Sequence, residues 1–241
     1  MTRDLPAGRR YIRTATDLLT RVETTGWPDL EAAAALIADT MAAGGTIHVF
    51  GSGHSHILAE ELYYRAGGFA RVRPILFEGL MLHASAPLST SLERLAGLAA
   101  ALLDEHGVAA GDLLVIASNS GSNPVVTEMA HEAKARGLRL VAITSLSHAT
   151  SEAVRQRDGQ RLHELADVAI DNGGAVGDAA IAIEGVPTRV APTSTVVGAA
   201  IANALVAEVA ERLLRRGIVP EVFTSSNVAG GDAVNERFMR R

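Results

Sequence analysis

Residues 113–124 read Leu-Leu-Val-Ile-Ala-Ser-Asn-Ser-Gly-Ser-Asn-Pro. Leu113 to Ala117 is a continuous apolar run. Ser118 to Asn123 is a hydroxyl-rich turn holding one glycine, and a helical pattern begins at Pro124. A strand that breaks into such a turn and then enters a helix is equipped to hold a phosphate. The glycine lets the backbone come close. The unpaired N–H groups at the helix start point outward and favour an anion, and serine hydroxyls donate to phosphate oxygens. Serine-rich turns also occur as plain caps with no ligand, so the rest of the chain has to decide between the two.

Working outward, four further apolar runs alternate with helical patterns. Strands are expected at Thr46–Phe50, Arg71–Phe77, Asp112–Ala117, Leu138–Thr144 and Val168–Asp171, with a short edge strand at Ala180–Ile183. Helices are expected at Arg9–Glu23, from Pro28 to Ala43, and over Ile57–Arg65, Leu88–Asp104 and Pro124–Arg136. Thr193–Arg216 is the longest; its middle is apolar on nearly every side, which predicts burial on most faces. Ser145–Gly159 reads as a polar loop with a short helix. This alternation predicts an α/β chain, a parallel sheet sandwiched between two helical layers and preceded by a helical extension over residues 1–44. Ligands in such sheets bind beyond the carboxyl ends of the strands. Thr46–Phe50 also ends there in a glycine- and hydroxyl-containing turn, Gly51-Ser52-Gly53-His54-Ser55-His56, so two turns converge on one rim.

Composition narrows the function classes. With 241 residues, 48% hydrophobic and 20% charged, the chain is an ordinary globular one able to bury a sizeable core. A net charge of −5 argues against a broad nucleic-acid surface. There is no cysteine, which removes disulfides, thiolate catalysis and cysteine–zinc sites and fits a reducing compartment. Met1 to Arg10 is polar and does not read as a secretory signal. No apolar stretch reaches the ~18 residues a membrane span needs. A soluble, cytoplasmic protein is the expectation.

Two familiar nucleotide motifs fail. His56 stands where the dinucleotide fingerprint has its third glycine, and no GxxxxGK[ST] occurs. A mononucleotide or sugar phosphate fits better than NAD or ATP, and no cofactor is called for. The set GSGHS at 51–55, SNSG at 118–121 and Ala142-Ile143-Thr144 resembles the SIS (sugar isomerase) family of phosphosugar-binding domains, over roughly residues 30–217. The first turn looks like that family's G-x-G-x-S and the second like its S-x-S-G. The chain as a whole resembles a bacterial group of stand-alone SIS proteins. The resemblance implies a five-stranded parallel sheet in a flavodoxin-like α-β-α sandwich, a single domain over 1–241 with the tail 219–241 packed on it or on a partner, and homodimers or homotetramers with sites near the subunit interface. It carries phosphate holding to Ser52, Ser55, Ser118 and Ser120, with Gly53, His54, Asn119, Gly121 and Ser122 in the same turns. Asn123 stands where the family often has threonine. Thr193, Ser194 and Thr195, which can also cap the last helix, match a substrate-side segment.

Aldose–ketose isomerisation needs a base that moves a proton between adjacent carbons and an acid that helps open the ring. Some family isomerases carry a catalytic glutamate on the helix after the first turn, which makes Glu61 the preferred base; as one of two adjacent helical glutamates it is equally read as a solvated face. Glu78, at the end of the second strand, is the rival carboxylate, and His83 the candidate ring-opening acid. His54-x-His56 lacks a third ligand, so no metal is expected. The last helix lacks a histidine that some family isomerases have there; Asn203 is its one mid-helix uncharged polar residue. Asp171-Asn172-Gly173-Gly174 also points at the rim and reads first as a tight turn. The function expected is a phosphosugar-binding protein, an isomerase on a sugar or amino-sugar phosphate. The alternatives are a non-catalytic sensor, or an amino-sugar-phosphate lyase or etherase.

Overall fold

The computed structural model describes residues 5–152 and 159–239. The two chain ends and the middle of the Ser145–Gly159 loop lie outside the described residues. Two helices come first, α1 (Ala7–Thr24) and α2 (Trp27–Ala42), with Pro28 in the first turn of α2. Then follow β1 (Ile47–Gly51), α3 (His56–Leu62), β2 (Val72–Ile75), α4 (Ala86–Leu92), α5 (Leu98–Glu105), β3 (Leu113–Ala117), α6 (Pro124–Ala135) and β4 (Arg139–Thr144). The chain continues through α7 (Leu146–Ala149), α8 (Leu162–Leu165), β5 (Val168–Asp171), β6 (Ala179–Ile181), β7 (Val190–Pro192), α9 (Ser194–Arg215) and α10 (Gly231–Met239).

The main sheet has five strands in the order β2-β1-β3-β4-β5, every neighbouring pair parallel. Side chains alternate across it. Leu113, Val115 and Ala117 of β3 face one core with Val49, Val141 and Ile143, under Leu30 and Ala34 of α2, Leu58 of α3, and Val197, Ile201 and Leu205 of α9. Leu114 and Ile116 face the other, with Phe50, Ile75 and Leu140, under Leu103 of α5, Val126 and Met129 of α6, and Leu162 of α8. The central strands β1, β3 and β4 are therefore buried on both faces and read as largely apolar runs, whereas at the edges Arg73 of β2 is exposed and β5 is only partly buried. On the α9 side the packing is close: a Cβ on Gly198 would lie 2.8 Å from the Leu58 side chain.

Three expectations need correction. The helix after the first turn stops at Leu62 and does not reach Arg65. There Tyr63 turns extended, and the chain pairs with its own tail: Gly67 N–H donates to Phe223 O at 2.8 Å, Phe223 N–H to Gly68 O at 2.9 Å and Ala70 N–H to Glu221 O at 2.9 Å. The rings of Tyr64 and Phe238 meet Phe223 edge-on, at centroid distances of 4.9 and 5.8 Å. The predicted helix Leu88–Asp104 is two helices, α4 ending at Leu92 and α5 starting after Gly97, which takes φ 86°; Leu88 and Leu95 are 51% and 54% exposed. The short strand near Ala180 is no edge of the main sheet; β6 pairs antiparallel with β7 in a separate hairpin. As expected, α9 is buried on most faces, with Val196 and Asn203 exposed.

At the amino edge of the sheet a polar knot closes the structure. Asp112 Oδ1 accepts the Thr46 N–H at 2.8 Å; its Oδ2 accepts the Ala109 N–H at 3.1 Å and lies 3.1 Å from His48 Nε2. Burial pushes the His48 imidazole below its ordinary pKa of 6.5, against the pull of Asp112.

Candidate functional site

The carboxyl edge of the sheet is where the two hydroxyl turns come together. Gly51 ends β1, and a Cβ there would collide with the Ser55 carbonyl, so only glycine permits the turn to fold back this tightly. Gly121 has φ 58°, and a Cβ there would lie 3.0 Å from Leu162. Between these turns and the start of α9 lies a narrow cleft that opens to solvent. Its polar wall is Ser55, Ser118, Asn119, Asn172, Ser194 and Thr195, and its apolar floor is Leu58, Ala117 and Ile143. Three segments singled out in the sequence, separated by more than sixty residues each, thus share one cleft.

The other predicted positions build the walls. Ser52 is buried, and its hydroxyl donates to Glu93 Oε1 at 2.6 Å. Asn123 Nδ2 donates to Glu93 Oε2 at 3.0 Å. Glu93 therefore ties the first turn to the second. Gly53 begins a single 3-10 turn at φ 55°, His54 is exposed, and Ser120 is half-buried beside the buried Gly121 and Ser122. Thr193 is 1% exposed, and its Oγ1 has no hydrogen-bond partner among the described residues. The start of α9 is capped instead by Asp178, whose Oδ1 accepts the N–H groups of Thr193 and Ser194 at 3.1 and 2.9 Å and whose Oδ2 accepts the Ser194 hydroxyl at 2.5 Å. Burial pushes the neighbouring His148 down, opposed by Asp178; its Nδ1 accepts the Gly177 N–H at 2.9 Å.

Asn119 is oriented from behind. Its Oδ1 accepts from Asn172 Nδ2 at 2.7 Å, and Asn172 Oδ1 in turn accepts the Gly174 N–H at 2.9 Å. With its oxygen fixed, Asn119 has only its N–H2 left to offer. Ser118 Oγ accepts the Gly121 N–H at 3.1 Å, which leaves its own proton to donate. Asp178 and Glu93 are the residues sequence reasoning missed as parts of this site. Asn172 was placed at the rim from its position after β5 but read first as part of a tight turn; it lines the cleft.

The three candidates for proton transfer do not line the cleft. Glu61 accepts from Arg65 and from Asn203 Nδ2, the latter at 2.7 Å. Asn203 is eight residues past Thr195, about 12 Å along α9 at 1.5 Å per residue. Glu78 is exposed at the start of a 3-10 turn after β2. His83 is exposed, its ring 6.0 Å from that of His56. The buried His56 contacts the Gly53 carbonyl and lies 3.3 Å from Glu60. Among the described residues no group of three or more His, Asp or Glu is arranged to hold a metal ion, and no helix is long and apolar enough to cross a membrane.

Comparison with known proteins agrees with this geometry. The family profile of the SIS domain matches residues 10–145. A UPF0309 protein of Geobacillus thermodenitrificans is 43% identical over 213 residues, 88% of this chain and 86% of that one. A UPF0309 protein of Listeria monocytogenes is 40% identical over 226 residues, 94% of this chain and 92% of its own. Among solved structures, a phosphoheptose isomerase from Francisella tularensis superposes with a TM-score of 0.54 at 15% identity, over 84% of this chain and 96% of that one. A phosphoheptose isomerase from Neisseria gonorrhoeae gives 0.51 at 16% identity, over 83% and 96%. These likenesses are of fold. The sheet order, the two turns at its carboxyl edge and the sequence matches together make this chain a member of the SIS-domain family, within its UPF0309 group.

Proposed function

We propose that this protein binds a sugar or amino-sugar phosphate in the cleft and acts on it as an isomerase. The observation that carries the reading is the wall of uncharged donors at the carboxyl edge of the sheet: the Ser118 hydroxyl and the Asn119 amide face the same space as Ser55. Neutral donors and backbone N–H groups suit a phosphate that must be held and released. Ser52, Gly53, His54, Ser120, Gly121, Ser122, Asn123 and Thr193 keep the turns and the α9 start in shape around it. Glu61 is the proposed base, with Glu78 its rival and His83 the ring-opening acid. The setting is cytoplasmic. The working form is a homodimer or homotetramer, supported by the 64% exposed Ile12 on α1 and the 41% exposed Val196 on α9.

One observation favours a second reading, a phosphosugar sensor without chemistry. Among the described residues no carboxylate or histidine lines the cleft. The two readings separate experimentally. The protein is heated with and without inorganic phosphate and a panel of hexose, heptose and hexosamine 6-phosphates. A raised melting temperature with at least one phosphosugar is expected, and none with any would end both readings. Aldose–ketose turnover of the bound sugar is then followed. Turnover that disappears in Glu61→Gln while binding persists supports the isomerase; tight binding without turnover supports the sensor.

A further inference from the structure

Two parts of the cleft wall are set in opposite senses. At the SNSG end Ser118 Oγ accepts from Gly121 and Asn119 Oδ1 from Asn172, so one lone pair of each is engaged and both side chains keep protons to donate. At the α9 end Ser194 is set the other way, beside a Thr195 hydroxyl that keeps its proton. The Ser194 hydroxyl gives its single proton to Asp178 Oδ2 at 2.5 Å, so the side chain has only acceptor lone pairs left. A hydrogen bond to a carboxylate is roughly twice as strong as a neutral one, which holds the hydroxyl in that orientation. Asp178 is itself fixed by the two α9 N–H groups on Oδ1, with a backbone φ of 65° that aspartate tolerates better than most residues. No lysine or arginine among the described residues lines the cleft to offset this arrangement.

We propose that Asp178 is a specificity-determining residue: by fixing Ser194 as an acceptor, it makes the α9 end of the cleft select a phosphosugar that carries a hydrogen-bond donor far from its phosphate, an ammonium ahead of a hydroxyl. The inference rests on the phosphosugar reading above. The proposal places the phosphate at the SNSG end and C2 against Ser194. A donor at C2 then completes Ser194; a C2 that carries only hydrogen leaves the Ser194 lone pairs without a ligand partner, and sites built to pair a polar group discriminate against ligands that lack it. The Asp178 carboxylate, one hydrogen bond behind Ser194, adds attraction for an ammonium. The α9 N-terminus offsets part of that charge, so the step from hydroxyl to ammonium is the smaller one.

The test uses three matched probes: glucosamine 6-phosphate, glucose 6-phosphate and 2-deoxyglucose 6-phosphate. They carry an ammonium, a hydroxyl and no donor at C2. Their dissociation constants are measured by titration calorimetry on the wild-type protein and on Asp178→Asn. In the variant the Asn oxygen still accepts the two N–H groups, but its amide donates to Ser194 and turns the serine proton outward. Wild type is expected to bind in the order given, with at least about tenfold between first and last. In Asp178→Asn the spread is expected to fall below about threefold. Should that variant not fold, Ser194→Ala removes the acceptor without touching the cap and is expected to flatten the series equally. Wild-type binding of all three within threefold, an undiminished spread in either folded variant, or no binding of any of the three overturns the inference. If inorganic phosphate and the wider phosphosugar panel also fail to bind, the phosphosugar reading falls with it.

Discussion

The two edges of the central sheet use the same kinds of groups to opposite ends. At the amino edge Asp112 gathers Thr46, Ala109 and His48, and every partner comes from the protein itself. At the carboxyl edge Glu93 and Asp178 gather donors in the same way, Ser52 and Asn123 on one side and Ser194 on the other. There, however, the assembled turns enclose a cleft, and Ser118 and Asn119 are left with donors that no protein group takes. Polar residues at strand ends are thus no sign of function by themselves. The difference lies in whether the carboxylate closes a knot or holds a wall.

This contrast can be broken at either edge. The largest effect is expected from Asp112→Ala, which strips an acceptor from two backbone N–H groups and His48. A stability loss of about 3 kcal/mol in denaturant unfolding follows if each loss is of ordinary size. Phosphosugar affinity in the folded fraction should stay unchanged, and a parallel loss of affinity would erase the distinction between the edges. Glu93→Gln should do the reverse. Glutamine has one amide oxygen for two donors, and its N–H2 opposes the other, so the two turns lose their fixed spacing. Affinity for a bound phosphosugar should fall by about tenfold with a stability loss of only about 1 kcal/mol; unchanged affinity would remove Glu93 from the site.

The smallest effect is a pH dependence that belongs to the amino edge. The unfolded chain protonates His48 near 6.5, while the folded protein does so only at lower pH. Between the two values the unfolded state binds more protons, so stability is complete above 6.5 and declines as pH falls below it. The half-buried His148 acts in the same direction. Melting curves taken between about pH 7.5 and 5.5, around the ordinary histidine range, should show a smaller drop for His48→Gln, which keeps a donor for Asp112. An equal drop in the variant would show that His48 carries none of this effect.

Much of the frame was legible in the sequence, because the central strands β1, β3 and β4 are buried on both faces and read as largely apolar runs. Val168–Asp171 is recovered with its ends, and the two hydroxyl turns follow from strand-to-helix junctions. What escaped depends on distant partners. The end of α3 is set by pairing with Glu221 and Phe223, about 150 residues on, and nothing near Leu62 announces it. The break between Leu92 and Leu98 was hidden because Leu92, Leu95 and Leu98 sit at helical spacing. The site divides the same way. Ser118 and Asn119 carry a local signal, whereas Glu93 meets residues 41 and 30 positions away and Asp178 meets Ser194 across the β6–β7 hairpin. Glu61 shows the limit from the other side, since its spacing after the first turn is suggestive, yet its carboxylate meets Asn203 of α9.

The central claim is that the carboxyl-edge cleft holds a sugar through its phosphate by means of uncharged donors. Titration calorimetry tests it directly, with the best-binding phosphosugar of the panel, the same sugar without its phosphate, and the double variant Ser55→Ala/Ser118→Ala. The account predicts binding of the phosphosugar, no measurable binding of the free sugar, and about a hundredfold weaker binding by a double variant that still melts as the wild type does. Equal binding of the free sugar, or an undiminished affinity in the double variant, would contradict it.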